Sequence, residues 1–161
     1  MIPAASPIDA PRLAATAAAM LADDKGLLAM DESIPTADKR FEKLGIPRTV
    51  EARRAYREMI LTTPRLAESI SGVILFDETI RQATKDGTPF IKVINDAGII
   101  PGIKVDLGAK AMAAHPGEKI TEGLDGLRYA RLEYVTLFGT FTRWRGVMNS
   151  GERIPSPGCI T

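Results

Sequence analysis

The chain alternates helix-forming segments with short apolar runs, and this alternation is its tightest constraint. Asp9-Ala10-Pro11 is a helix start, a capping side chain followed by proline in the first turn. The alanine-rich helix it opens should stop near Gly26. Residues 26–31 then read as a buried strand closing on the carboxylate of Asp31. The polar stretch 32–40 reads as a loop running into a short helix. Thr49 caps a second helix, with Ala52, Ala55, Tyr56, Met59 and Ile60 on one face at helical spacing. That helix must end before Pro64, because the residue before proline disfavours helix. Residues 71–76 form a second buried run leading into Asp77 and Glu78.

Thr88-Pro89 opens another helix, ended by Gly98, and residues 99–106 form a third strand. The segment 110–122, with Pro116-Gly117 at its middle, is polar and reads as loop. Leu124, Leu127, Ala130, Tyr134 and Phe138 then place an apolar stripe on a helix, residues 140–147 form a fourth strand, and 149–159 form a closing loop. Strands separated by helices imply parallel pairing through right-handed crossovers. An open doubly wound sheet and a (β/α)₈ barrel both satisfy this order. Charge favours the barrel. Asp31 closes the first strand. Lys104 and Asp106 are two residues apart on the third and so share a face, as do Arg143 and Arg145 on the fourth. A flat-sheet core would not hold these charges; the C-terminal mouth of a barrel would, and catalytic groups sit there. Four strands are half of such a barrel.

Composition excludes several other classes. The 161 residues carry a net charge of +1 with no long run of one sign, which argues against a nucleic-acid or membrane-surface partner. No apolar stretch reaches the roughly 20 residues that span a bilayer, and residues 1–6 lack a basic start followed by an apolar core, so no signal peptide is read. Cys159 is the single cysteine and His115 the single histidine. An intrachain disulfide is thus impossible, and a zinc site, which draws on several such ligands, is not expected. Carbon–carbon chemistry here would run through amines and carboxylates, with no metal or cofactor. No Gly-x-Gly-x-x-Gly follows a strand, so no dinucleotide site is read. His115 reads as an exposed loop residue, Trp144 as wall or core, and Met20, Met30, Met59 and Met112 as core filler.

Eight stretches, in order, carry a resemblance. They are Lys-Gly-Leu-Leu-Ala-Met-Asp-Glu-Ser at 25–33, Lys39-Arg40, Arg-Arg-Ala-Tyr-Arg at 53–57, Gly-Val-Ile-Leu-Phe-Asp-Glu-Thr at 72–79, Asp-Gly-Thr-Pro-Phe at 86–90, Gly-Ile-Lys-Val-Asp at 102–106, Gly-Leu-Asp-Gly-Leu at 123–127 and Trp144-Arg145. Each is weak alone. Collinear from about Leu13 to Ser156, they resemble class I (Schiff-base) fructose-bisphosphate aldolase, over the first half of that family's domain.

The resemblance implies a (β/α)₈ TIM barrel, of which about the first four βα units are present, so that residues 1–161 form one incomplete domain. It implies a metal-free carbon–carbon lyase acting on a sugar-phosphate substrate in glycolysis and gluconeogenesis, in the cytoplasm, as a homo-oligomer, usually a tetramer. Cleavage of fructose 1,6-bisphosphate leaves a carbanion, for which a lysine imine is the electron sink. Asp31 matches the first-strand aspartate that orients and polarises the reacting region. Lys104 matches the third-strand lysine beside the imine site. Ser33, Thr36 and Arg40 match the loop on the C6-phosphate side. Arg53 matches an arginine at the binding rim, and Arg145 the fourth-strand arginine that contacts substrate.

One departure lies at Arg143, in a run where the family has Lys-Trp-Arg. A guanidinium keeps positive charge but not the lysine's capacity for proton transfer. The resemblance also puts the fifth-strand glutamates, the sixth-strand Schiff-base lysine and the later phosphate-binding loops beyond Thr161. Two readings follow: a segment of an aldolase, inactive alone, or a non-catalytic half-barrel or degenerate paralogue acting as an assembly or regulatory partner. An unrelated sugar-phosphate-binding α/β protein is a third. From the residues alone, Lys104 with Asp106 also fits a structural ion pair, Arg143 and Arg145 fit pairing with strand-end acids, and Arg53 fits a solvated helix face. A half-barrel has two open edges and an uncovered inner face, so the isolated chain is expected to dimerise, aggregate or be partly molten.

Overall fold

The computed structural model describes residues 9–137, 140–152 and 154–160. The signal-peptide reading of residues 1–6 and the Phe138 position of the apolar stripe lie outside the described residues. The strands are β1 (Gly26–Met30), β2 (Ile70–Leu75), β3 (Ile100–Lys104), β4 (Ala109–Ala111), β5 (Lys119–Thr121) and β6 (Phe141–Arg143). The helices are α1 (Ala10–Met20), α2 (Ile34–Lys43), α3 (Val50–Leu61), α4 (Leu66–Ser69), α5 (Asp77–Ile80), α6 (Phe90–Asp96), α7 (Leu127–Thr136) and α8 (Pro157–Ile160).

The four apolar runs pair in chain order, β1-β2-β3-β6, and every pairing is parallel. All four C-termini therefore point the same way, and the strand-end charges gather at one end of the sheet. The sheet's two faces differ. On one, Met30, Val73, Leu75 and Ile103 pack with Leu61 of α3 and Phe90, Ile91 and Ile94 of α6, all buried. Burying a side chain of this size contributes about 2 kcal/mol, so this layer holds the helices to the sheet. On the other face the central strands carry glycine. A Cβ at Gly72 would come within 2.8 Å of Leu27, and one at Gly102 would overlap the Phe141 ring. The two glycines let side chains from both edge strands fold inward over the middle, which gives the face a concave floor.

Several local expectations are corrected. The stretch 32–40 is mostly helix: Ser33 sits at the N-cap of α2 with Pro35 in its first turn, a helix start that the polar composition hid. In α3 the buried residues are Arg53, Arg57 and Leu61, while Met59 is 63% exposed. The apolar stripe misjudged the inner face because both arginines find carboxylate partners there. Segment 110–122 contains the antiparallel pair β4–β5 rather than loop alone. The third strand ends at Lys104, with Asp106 beyond it. The fourth is three residues long: Phe141, Thr142 and Arg143 pair with β3. Leu124 precedes α7 and is 70% exposed, whereas Tyr134 and Leu137 pack on the core. Trp144 is exposed rather than core, and of the four methionines only Met30 is fully buried.

Candidate active site

The strand ends bring together Asp31, Lys104, Asp106 and Arg143. Asp31 follows β1, Lys104 is the last residue of β3, and Arg143 is the last residue of β6. Arg143 Nη1 donates to Asp31 Oδ2 at 2.8 Å and lies 3.8 Å from Asp106 Oδ2. Lys104 Nζ lies 3.7 Å from Asp106 Oδ1. Four alternating charges thus form one continuous network at the C-terminal end of the parallel sheet. The Asp31 and Lys104 side chains are 12% exposed, and the Arg143 side chain 30%. Lys104 also sits over the Phe76 ring, 5.9 Å from its centroid, a cation–π distance. A recess of about 430 Å³ opens beside it, between the ends of β2 and β3 and the start of α7.

A second group stands at the start of α2. Ser33 and Thr36 hydroxyls lie 3.1 Å apart, and Ser33 at the capping position accepts no backbone N–H of the helix on its side chain. A helix N-terminus with two hydroxyls is suited to an anion. Arg40, one turn on, is largely exposed and donates to Glu32. Glu32 also accepts from Arg57 at 2.5 Å. Burial works against charge on Glu32, but its hydrogen bond to Arg57 and the charges of Arg57 and Arg40 hold its carboxyl below the ordinary range.

Arg53 and Arg145 lie apart from both groups. Arg53 is 7% exposed; its Nε and Nη2 donate to Glu78 at 2.7 and 2.8 Å and its Nη1 to Asp38 at 2.8 Å. Its donors tie α3 to α2 and α5, in a geometry that favours bidentate pairing. Arg145 lies past β6, exposed, its carbonyl accepting from Thr121. Asp106 was visible in the sequence as the partner of Lys104 by spacing, and Arg143 does pair with strand-end acids, Asp31 and Asp106, as its residue type also allowed. Glu78 was visible as an acid after a strand and Glu32 as part of the first motif, but nothing in the sequence tied either to a buried arginine.

The remaining chemistry-bearing residues stand elsewhere. His115 Nδ1 lies 3.7 Å from Glu118, and its side chain is 36% exposed. Burial, and then Glu118, push the Cys159 thiol up, away from nucleophilic character. Among the described residues no cluster of three or more His, Cys, Asp or Glu side chains is placed to hold a metal ion. None of the described helices is long and apolar enough to cross a membrane.

Comparison with known proteins places this geometry in a family. A model of class-I fructose-bisphosphate aldolase matches residues 12–161. The probable fructose-bisphosphate aldolase class 1 of Xanthomonas campestris is 61% identical over 149 residues, which is 92% of this chain and 45% of that protein. The cytoplasmic isozyme of fructose-bisphosphate aldolase from Spinacia oleracea is 43% identical over 94% of this chain and 42% of its own length. Among solved structures, the Plasmodium falciparum fructose-bisphosphate aldolase, crystallised with TRAP and a small-molecule inhibitor, superposes with a TM-score of 0.90 at 39% identity, over 96% of this chain and 45% of that one. The chain spans a little under half the length of these relatives, and its four parallel strands correspond to part of their (β/α)₈ barrel. The chain belongs to the class I fructose-bisphosphate aldolase family.

Proposed function

We propose that this chain supplies the first four βα units of a fructose-bisphosphate aldolase active site, in a single barrel domain. The reaction is the reversible cleavage of fructose 1,6-bisphosphate to glycerone phosphate and glyceraldehyde 3-phosphate. The observation that carries the proposal is the convergence of Asp31, Lys104 and Arg143, from three different strands, at one end of the sheet.

In this reading Asp31 orients and polarises the reacting region of the sugar. Lys104 supplies a positive charge beside the carbonyl, where negative charge develops when the carbon–carbon bond breaks. Arg143 balances the charge of Asp31. Ser33 and Thr36 hold one phosphate at the α2 N-terminus, with Arg40 as a mobile counter-charge that leaves Glu32 to reach it. Arg53 acts through α2, by fixing its position. Arg145 reaches substrate from the rim. The imine-forming lysine belongs to a later strand of the barrel, in the part of the relatives' length that these residues do not span. Homo-oligomeric assembly and a cytoplasmic setting are part of the same proposal, the second supported by the name of the spinach relative, a cytoplasmic isozyme.

A non-catalytic half-barrel is the second reading. It draws on the Arg143–Asp31 pair, which commits one oxygen of the site aspartate to a guanidinium. A coupled assay of fructose 1,6-bisphosphate cleavage by the natural protein that carries this segment separates the two. Asp31→Asn and Lys104→Met are each expected to lower turnover by about 100-fold or more, the scale of a lost positioned charge. Cleavage unchanged by both substitutions, or absent from the wild type, would remove the catalytic reading.

A further inference from the structure

The charged network contains one group that no role above uses. The Asp106 side chain is fully buried. Its Oδ1 accepts from the Gly108 N–H at 3.1 Å and faces Lys104 at 3.7 Å. Its Oδ2 faces Arg143 at 3.8 Å and has no hydrogen-bond partner among the described residues. Removing a carboxylate from water with one neutral hydrogen bond is costly. The turn at Gly108 does not require the charge, since asparagine closes the same turn. The charge is instead met by two cations from neighbouring strands.

The Lys104 amine, for its part, makes no hydrogen bond among the described residues. Asp106 is its one ion-pair partner there, and the Phe76 ring its other neighbour. Arg143 has a closer hold on Asp31, so it takes only the outer share of Asp106. The two cations therefore compete for one buried carboxylate, and the balance sets where the Lys104 amine stands.

We propose that Asp106 is the positioning residue of this mouth, a buried counter-ion shared by Lys104 and Arg143 that fixes the Lys104 amine at the end of β3. Its consequence for catalysis rests on the aldolase reading; the charge sharing does not. Asp106 touches no reacting atom in this scheme and acts through the two cations.

The test needs no substrate. The natural protein that carries this segment is acetylated with limiting N-hydroxysulfosuccinimide acetate, and the rate of each lysine in residues 1–161 is read by peptide mass spectrometry. Asp106→Asn keeps the acceptor for Gly108 and removes the charge. It is expected to speed acetylation of Lys104 by about threefold or more, while the partly buried Lys25 is unchanged. No change at Lys104, or an equal rise at Lys25, would overturn the proposal. Arg143→Met supplies a second arm in which Asp106 itself and its bond from Gly108 are kept, and in which any loosening from the lost Asp31 pair would speed rather than slow acetylation of Lys104. With its competitor gone, Asp106 turns wholly to Lys104, whose rate is expected to fall by about twofold. A rise or no change there would overturn the proposal even if Asp106→Asn does not fold. Because neither arm uses fructose 1,6-bisphosphate, failure here and failure of the cleavage assay are separate results.

Discussion

Arg143 Nη1 lies 2.8 Å from Asp31 Oδ2, joining the end of β6 to the end of β1 across 112 positions of sequence. These strands are the two edges of the sheet. In a flat sheet, three gaps of about 4.8 Å would separate them. Closing that span with two side chains requires the sheet to curl around its glycine-bearing face. Substitution of Arg143 by Gln should leave a largely buried carboxylate without its charged partner. The expected cost is about 1–3 kcal/mol, read as a lower urea midpoint at unchanged slope. A midpoint equal to wild type would mean that the pair does not tie the edges.

The curl has a second requirement at Gly102. A methyl group there would overlap the Phe141 ring on the paired strand. Gly102→Ala is expected to destabilise by about 1–3 kcal/mol, the usual scale of overpacking. Adding Phe141→Leu should restore much of the loss, because the conflict lies with one ring. Equal destabilisation in both backgrounds would place the conflict in the backbone instead.

The acid side of the stability profile should carry Glu32 and Asp77. The Arg57 bond and nearby arginine charges outweigh burial at Glu32, and the Arg81 bond outweighs burial at Asp77, with help from the Tyr134 hydroxyl; both carboxyls sit below their ordinary range. A depressed carboxyl stabilises the fold above its unfolded value, about 4, and that stabilisation is lost as pH falls through the folded value. Tyr134 works in the opposite direction. Burial, then its bond to Asp77, push it up to about 12, so its contribution is present below the unfolded value of about 10 and lost as pH rises toward 12. Urea midpoints should fall below pH ~4.5 in wild type and fall less steeply in Arg57→Met. An absorbance titration should show one of the three tyrosines ionising late. Identical acid profiles, or three tyrosines titrating together, would contradict these assignments.

Much of this architecture was legible in the sequence. Apolar runs at 26–31, 71–76 and 99–106 marked three strands, because a parallel sheet covered by helices needs continuous apolar segments. The mouth was legible for the same reason: Asp31, Lys104 and Arg143 are charges where an apolar pattern stops. Arg53 and Arg57 were not legible as buried residues. Their partners, Glu78, Asp38 and Glu32, are up to 25 positions away, and pairing at that distance leaves no periodic trace. A short helix after the loop was legible, but the early start of α2 was obscured because polar residues dominate its sequence and that start depends on Ser33 and Pro35. The β4–β5 pair is too short to leave an alternating signal.

The edges make a prediction for the 161-residue chain by itself. Among the described residues β1 and β6 each pair on one side only, and Leu27 on the inner face is 44% exposed. Open strand edges beside an apolar face favour association. Light scattering behind size exclusion should find dimers or larger species. A monodisperse monomer with a sharp two-state melt would contradict this.

The most direct measurement is borohydride trapping of the natural protein that carries this segment, with fructose 1,6-bisphosphate, followed by peptide mapping. The account predicts a reduced imine adduct on a lysine outside residues 1–161, with a yield that drops when Lys104 is Met. No adduct at all, or an adduct on Lys104 or another lysine of this segment, would contradict the claim that this half contributes recognition and charge while the imine forms elsewhere.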